Sequence, residues 1–228
     1  MSARAIRLVI FDCDGVLVDT EQATNEWIAQ QITDAGLPIT AEACRKRFVG
    51  LSMSSVAPKL LAEGGPNLGE DFAARWWAAM PTVLGDRVQA VPYVHVAVDA
   101  LEASGLAFCV ASSGTVEKMH MTLGTTGLLP RLSDVLFSAT MVEKGKPAPD
   151  LFLHAAQAMG VAPADCVVVE DSPYGAQAAA AAGMRCLGYA GDPLTDAQGL
   201  ASHGATLFHD MRSLAGLLKA DAGAPPWT

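Results

Sequence analysis

The sequence predicts an α/β fold, a doubly wound parallel sheet with a helical cap domain inserted into it. Two observations lead to this prediction. Short apolar segments alternate with segments long enough for helices over most of the 228 residues. From about Asp19 to Gly85, however, helical patterns continue and no strand pattern occurs. A composition that is 51% hydrophobic and 17% charged supplies the buried core that such a fold requires and excludes a disordered chain.

The core strands are predicted from short apolar runs bounded by turn residues. They are Arg7–Phe11, Ala107–Ala111, Val135–Phe137, Cys166–Val169, Arg185–Tyr189 and Thr206–His209. The helices between them are predicted at Thr115–Thr125, Pro149–Met159, Tyr174–Ala182 and Met211–Leu218. Strands that alternate with helices in this way are typical of a parallel sheet with helices on both faces.

The interruption of this alternation is too long to be a loop in a compact domain. Its helices are predicted at Glu21–Ala35, Ala41–Phe48, Ser54–Glu63 and Asp71–Leu84. We therefore predict a helical cap domain at residues 19–85 and a core domain formed by residues 1–18 and 86–228.

Charge and composition exclude several classes of function. A total of 15 Lys and Arg against 24 Asp and Glu gives a net charge of −9, which disfavours nucleic acid as a partner. The apolar runs are too short to span a membrane, and the first of them, Leu8–Phe11, is too short for the core of a signal peptide. We expect a cytoplasmic monomer or dimer that acts on a small molecule.

An acidic turn follows the first predicted strand. Asp12, Asp14 and Gly15 lie where open α/β sheets bind ligands, outside the carboxyl ends of the strands. Asp12 is suited to act as a nucleophile toward phosphorus and Asp14 as the general acid/base. Two carboxylates repel a phosphate unless a hard cation offsets their charge, which predicts Mg²⁺. For this motif alone, a plain turn or a calcium loop is the alternative.

Polar residues also follow two other predicted strands. Ser112, Ser113 and Gly114 lead into a helix, where hydroxyl and free N–H groups can bind phosphate oxygens. Glu170 and Asp171 follow the strand at Cys166–Val169 and are candidate Mg²⁺ ligands. Each set is also consistent with simple helix capping.

A loop restrained by prolines supplies a cation before the helix predicted at Pro149–Met159. Lys146 is favoured over Lys144 because Pro147 restrains its backbone. It would neutralise a transferring phosphoryl group, whereas the alternative is a solvated surface lysine. Together, the four sets of residues supply nucleophile, acid/base, phosphate contacts, cation and metal ligands at one edge of the sheet.

These residues resemble the motifs of the haloacid dehalogenase superfamily, in its phosphatase and phosphoglucomutase-like branch. The matching segments are D-x-D-G-V-L-V-D, V-A-S-S-G, G-K-P-A-P-D and V-V-E-D-S, and they span nearly the whole chain. The resemblance implies that Asp12 is phosphorylated during turnover. It also implies that Mg²⁺ is held by Asp12, the Asp14 carbonyl and Asp171, with Glu170 in support. The serine of the second motif and the lysine of the third then bind the transferring phosphate.

The same resemblance favours one activity over others. The true dehalogenases lack the second acid of D-x-D, so Asp14 favours phosphate chemistry. Phosphonate-cleaving relatives use a cap lysine, and neither Lys46 nor Lys59 has matching surroundings. Family mutases carry a cap arginine where this chain has Met53 and a histidine where it has Thr24. A phosphatase is therefore predicted, with a β-phosphoglucomutase-type mutase as the alternative.

The resemblance also implies that the cap selects the substrate. The residues predicted to contact the substrate are Gly50, Met53, Trp76, Ser113 and Gly114. Adjacent Trp76 and Trp77 cannot share one face of a helix, so at least one of them is expected to pack internally. The similarity points toward phosphatases of sugar phosphates and phosphosugar acids, such as those that act on 6-phosphogluconate.

Two classes without catalysis are the remaining alternatives. A phospho-receiver domain combines similar acids with a serine or threonine and a lysine, but it would not need the long helical insertion. A silent sugar-phosphate binder would lack an essential group, and none is missing from the four motifs.

Overall fold

The computed structural model describes residues 5–48 and 51–221, which divide into two compact units. The α/β unit comprises residues 5–18 and 90–221, and the helical unit comprises residues 19–48 and 51–89. The sequence placed the second boundary between residues 85 and 86. The chain leaves the helical unit later, because Gly85–Arg87 forms a 3₁₀ turn directly after the last helix of that unit.

Strands and helices alternate along the α/β unit, whereas the helical unit contains four consecutive helices. In chain order the elements are β1 (Leu8–Phe11), β2 (Val18–Asp19), α1 (Glu21–Asp34), α2 (Ala41–Phe48), α3 (Met53–Ala62), α4 (Phe72–Leu84), β3 (Gln89–Ala90), α5 (Val94–Ser104), β4 (Ala107–Ser112), α6 (Val116–Thr125), α7 (Leu129–Leu132), β5 (Leu136–Ser138), α8 (Asp150–Ala158), β6 (Cys166–Glu170), α9 (Pro173–Ala181), β7 (Arg185–Tyr189), α10 (Ala197–Ser202), β8 (Thr206–Phe208) and α11 (Leu214–Asp221).

Six strands form one parallel sheet in the order β5-β4-β1-β6-β7-β8, which confirms the predicted fold class. Strand β1 lies in the middle, with Phe11 in register with Val110 of β4 and Val169 of β6. From β1 the chain continues to β4 and β5 on one side of the sheet, and then to β6, β7 and β8 on the other side. Doubly wound sheets bind ligands at the point where the chain changes sides in this way. The chain therefore delivers Asp12 between the ends of two neighbouring strands.

The central strands are apolar on both faces because helices cover the sheet on both sides. All four residues of β1 are fully buried, as are Val167 to Val169 of β6. Removing a Leu, Ile or Val side chain from water stabilises the fold by about 1.5–3 kcal/mol each. This packing fixes the strand ends, and the strand ends carry the polar residues discussed below.

The helical unit has a core of its own. Ile28 and Ile32 of α1 pack with Cys44 of α2, Leu60 of α3 and Phe72 of α4. Ile28 and Ile32, Cys44 and Phe48, and Val56 and Leu60 are each four residues apart, as expected for helices that bury one face.

A left-handed backbone conformation precedes α5. Tyr93 has φ 64°, which is uncommon for a residue with a side chain. The guanidinium of Arg212 lies 4.0 Å from the centre of the Tyr93 ring. This stacking offsets part of the cost of the strained conformation.

None of the helices in the described ranges combines the length and apolarity needed to cross a bilayer.

Candidate active site

The acidic turn after β1 is closed by backbone hydrogen bonds. The amide N–H groups of Leu17 and Val18 both donate to the Cys13 carbonyl, and Gly15 N–H donates to the Val18 carbonyl. Gly15 has φ 82°, and a Cβ at this position would collide with the Asp171 carboxylate. Glycine is therefore required here both by the turn and by the approach of an acid from the end of β6.

Lys146 binds the predicted nucleophile directly. Its Nζ lies 2.6 Å from Asp12 Oδ1 and 2.7 Å from Glu170 Oε1, and it also donates to the Ala111 carbonyl at 2.9 Å. The Lys146 side chain is 5% exposed, so these three bonds replace its hydration. The structure thus brings together side chains or carbonyls from the ends of β1, β4 and β6 around one buried ammonium group.

Glu170 is held from both sides. One carboxylate oxygen binds Lys146, and the other accepts hydrogen bonds from Ser172 N–H and Ser172 Oγ, each at 2.9 Å. Gly175, in the first turn of α9, leaves room for this carboxylate, which a Cβ would strike. Glu170 therefore fixes Lys146, and neither Ser172 nor Gly175 was singled out from the sequence. An internal glycine in the first turn of a helix is the signal that would have indicated the close approach.

The site carries more negative than positive charge. Burial raises the pKa of Asp12 to about 7; the Lys146 ammonium opposes this shift, while Glu170 and Asp14 add to it. Burial alone would lower the pKa of Lys146, but the carboxylates of Asp12 and Glu170 raise it, so this side chain stays charged. Carboxylate pairs of this kind are stabilised when a hard cation lies among them.

Three acids offer oxygen ligands at short mutual distance. One carboxylate oxygen from each of Asp12, Glu170 and Asp171 lies within 4.8 Å of the others. An all-oxygen set with surplus negative charge fits Mg²⁺ and does not fit Zn²⁺, which prefers nitrogen and sulfur. The residues present therefore fit the predicted metal.

The segment after β4 is folded against this edge of the sheet. Ser112 is buried, and its Oγ accepts a hydrogen bond from Gly114 N–H at 3.0 Å. Ser138 of β5 donates to the Gly114 carbonyl at 2.7 Å, and Ser113 is exposed. Thr115 caps α6 by accepting from Lys118 N–H. The helix cap anticipated as the alternative for Ser112 is thus made by Thr115.

Asp14 has a partner that the sequence did not indicate. Lys118 Nζ lies 2.8 Å from both Asp14 Oδ1 and Asp14 Oδ2. The two residues are 104 positions apart, and Lys118 lies on α6, the helix after β4. The signal available in the sequence was a lysine in the first turn of a helix, where a cation is electrostatically unfavourable.

Two of the predicted substrate contacts in the helical unit, Trp76 and Met53, have apolar neighbours in the structure. Trp76 is 2% exposed, and its ring centre lies 5.2 Å from that of Trp27. Met53 is half-buried against the core of the helical unit. Gly50 lies outside the described ranges. The contact of Trp76 and Met53 with substrate stays a prediction, and the adjacent Trp77 is exposed at 39%.

Comparison with known proteins identifies the class. The family model for haloacid dehalogenase-like hydrolases matches residues 6–183, and the chain belongs to this family. It is an enzyme of the phosphatase branch of these hydrolases. The candidate site lies at the carboxyl ends of β1, β4 and β6, which are neighbours in the sheet.

Individual relatives are similar over most of the chain. A 6-phosphogluconate phosphatase of Escherichia coli (strain K12) is 32% identical over 189 residues, which are 82% of this chain and 84% of that protein. A fructose-1-phosphate phosphatase of the same organism is 33% identical over 181 residues, 77% of this chain and 92% of that protein. A solved haloacid dehalogenase-like protein of Agrobacterium tumefaciens is 32% identical with a TM-score of 0.84, covering 96% of this chain and 100% of that one.

Proposed function

We propose that this enzyme is a Mg²⁺-dependent phosphatase that hydrolyses a small phosphorylated metabolite through an aspartyl phosphate on Asp12. The observation that carries the proposal is the set of bonds around Lys146, which joins Asp12 to Glu170 at the end of the central strands. A buried carboxylate beside a fixed ammonium group can attack phosphorus while the ammonium group neutralises the charge that develops on the phosphoryl oxygens.

The proposed reaction has two displacements. A carboxylate oxygen of Asp12 attacks phosphorus, the ester P–O bond breaks, and Asp14 donates a proton to the leaving oxygen. Asp14 then removes a proton from water, the water oxygen attacks phosphorus, and the bond between phosphorus and Asp12 breaks to release inorganic phosphate. Ser112, Ser113 and Gly114 are proposed to bind the phosphoryl oxygens.

Asp12, Asp171 and the Asp14 carbonyl would hold Mg²⁺, with Glu170 in support. The ion supplies positive charge that offsets the repulsion between the phosphate and the acids of the site. Glu170 is already bonded by Lys146 and Ser172, which supports an indirect role for it and direct ligation by Asp12 and Asp171.

The substrate class is proposed to be sugar phosphates or phosphosugar acids, and 6-phosphogluconate is the first candidate. The similarity to 6-phosphogluconate and fructose-1-phosphate phosphatases supports this class. A β-phosphoglucomutase-type activity is the second candidate because it uses the same four motifs. Met53, which stands where family mutases carry an arginine, favours hydrolysis over phosphoryl return to a sugar. A cytoplasmic location remains part of the proposal.

A phosphate-release screen tests the proposal. Phosphorylated metabolites, including 6-phosphogluconate, fructose 1-phosphate and β-glucose 1-phosphate with its bisphosphate, are incubated with the enzyme in Mg²⁺ and in EDTA. We expect Mg²⁺-dependent phosphate release that is fastest with a sugar phosphate or phosphosugar acid. Isomerisation of β-glucose 1-phosphate without phosphate release would instead establish the mutase, and undiminished turnover in EDTA would refute the metal requirement.

A further inference from the structure

The ion pair between Lys118 and Asp14 joins a helix to the acidic turn after β1. Lys118 Nζ is equidistant from the two carboxylate oxygens of Asp14, at 2.8 Å from each. The Lys118 side chain is 12% exposed and that of Asp14 is 23% exposed, so the pair is largely shielded from water. An ion pair that engages both oxygens restrains the rotation of a carboxylate as well as its position.

The location of Lys118 is unfavourable for the helix that carries it. Lys118 is the third residue of α6, and the N-terminal turn of a helix carries partial positive charge from its free N–H groups. Ordering a long lysine side chain also costs rotamer entropy. A residue that breaks a local rule in this way commonly serves a site, and here the compensating contact is with Asp14.

A glycine lies beside the path of the lysine side chain. A Cβ on Gly114 would lie 3.2 Å from Lys118 Cδ and 3.9 Å from Asp14 Oδ2. The first distance is tighter than ordinary van der Waals contact, so a side chain at position 114 would push the lysine aside. Gly114 therefore leaves the space through which Lys118 reaches Asp14.

We propose that Lys118 is a positioning residue that orients the Asp14 side chain for proton transfer, in which the protonated carboxyl group donates its proton to the leaving oxygen and the resulting carboxylate then accepts a proton from water. This inference rests on the proposed phosphatase function, in which Asp14 protonates the leaving oxygen. Lys118 acts through Asp14 and does not bind the transferring phosphate. Loss of Lys118 should therefore lower kcat/KM most for substrates whose leaving group must be protonated.

The test compares two leaving groups. For the wild type and for Lys118→Met, kcat/KM is measured with 4-nitrophenyl phosphate, whose leaving group needs little protonation, and with the alkyl phosphate that the wild type hydrolyses best. We expect kcat/KM for the alkyl phosphate to fall about a hundredfold, the lower range of general acid catalysis, and that for the aryl phosphate to change by less than about threefold. Lys118→Arg, which can still bind both oxygens, should recover part of the loss.

Lys118→Gln provides a second route to the same answer if Lys118→Met folds poorly. Its neutral amide can donate to only one carboxylate oxygen at a time, so kcat/KM for the alkyl phosphate should again fall more than that for the aryl phosphate. Lys219→Met, at an exposed position on α11, is the matched control and should leave both values unchanged.

Equal losses with both substrates would overturn the proposal and assign Lys118 to phosphate binding. Unchanged kinetics in Lys118→Met would also overturn it. These results differ from failure of the proposed function, which would appear as no Mg²⁺-dependent phosphate release by the wild type.

Discussion

The α/β unit and the helical unit differ in what holds their predicted functional residues. In the α/β unit, Asp12, Asp14, Lys146 and Glu170 are fixed by charged hydrogen bonds between elements far apart in sequence. In the helical unit, Trp76 is fixed by apolar packing. The difference shows that polar residues at the ends of parallel strands indicate a functional site, whereas the buried aromatic residue of the helix indicates a packed core.

The largest expected effect comes from replacing the nucleophile. Asp12→Asn keeps the size of the side chain but removes the carboxylate that would attack phosphorus, so kcat should fall by at least about 10⁴-fold. Phosphate release from the best substrate measures the effect, and circular dichroism controls for folding. Substantial remaining activity would contradict the comparison by showing that the acid bound to Lys146 at the end of β1 is dispensable for catalysis.

Removal of the central cation should have the next largest effect. Lys146→Met leaves Asp12 and Glu170 buried without their shared partner, which should lower the free energy of unfolding by about 3–5 kcal/mol in EDTA. Activity should fall about 10²–10³-fold because a fixed positive group is lost. Urea unfolding and phosphate release provide the measurements. Lys144→Met, an exposed neighbour, is the control, and equal stability of the two variants would contradict the role given to Lys146.

In the helical unit the expected effect is on stability. Trp76→Ala removes a buried ring packed on Trp27 and should cost about 3 kcal/mol or more of unfolding free energy. Trp77→Ala, at an exposed position, should change the unfolding free energy by less than about 0.5 kcal/mol. Denaturant unfolding monitored by circular dichroism distinguishes the two. The reverse order of the two losses would show that burial does not decide the roles of these residues.

The smallest effect is expected from a glycine beside the site. Gly175→Ala forces the Glu170 carboxylate to move and should cost about 1–3 kcal/mol of stability. Gly216→Ala is its control in α11, where a methyl group meets nothing within 4 Å and helix propensity should raise stability by about 0.5–1 kcal/mol. Thermal melting should show a lower Tm for Gly175→Ala and a higher Tm for Gly216→Ala. A Tm shift of the same sign in both variants would refute the close approach of Gly175 to Glu170.

Much of the α/β unit could be predicted from the sequence because its strands are buried apolar runs and its topology brings their ends together. Asp12, Lys146 and Glu170 were expected at one edge, and the structure brings them within hydrogen-bond distance. Lys118 could not be paired with Asp14 from spacing, because the contact depends on how far a flexible side chain reaches between elements.

Other features depended on context that a sequence pattern does not contain. Helix α5 was not predicted, since its valine-rich start is also typical of a strand and its preceding residue, Tyr93, takes a conformation usually left to glycine. The choice between Trp76 and Trp77 required the helix phase relative to Trp27, which only the packed unit defines.

Trapping the phosphorylated enzyme tests the central claim most directly. Asp14→Asn is mixed with 4-nitrophenyl phosphate and Mg²⁺, quenched in acid and digested, and the peptides are weighed by mass spectrometry. The aryl leaving group should allow phosphorylation, while the lost general base should slow hydrolysis, so phosphate should accumulate on Asp12. Phosphate on another residue, or release of nitrophenol at the wild-type rate with no phosphopeptide at any time, would contradict the account.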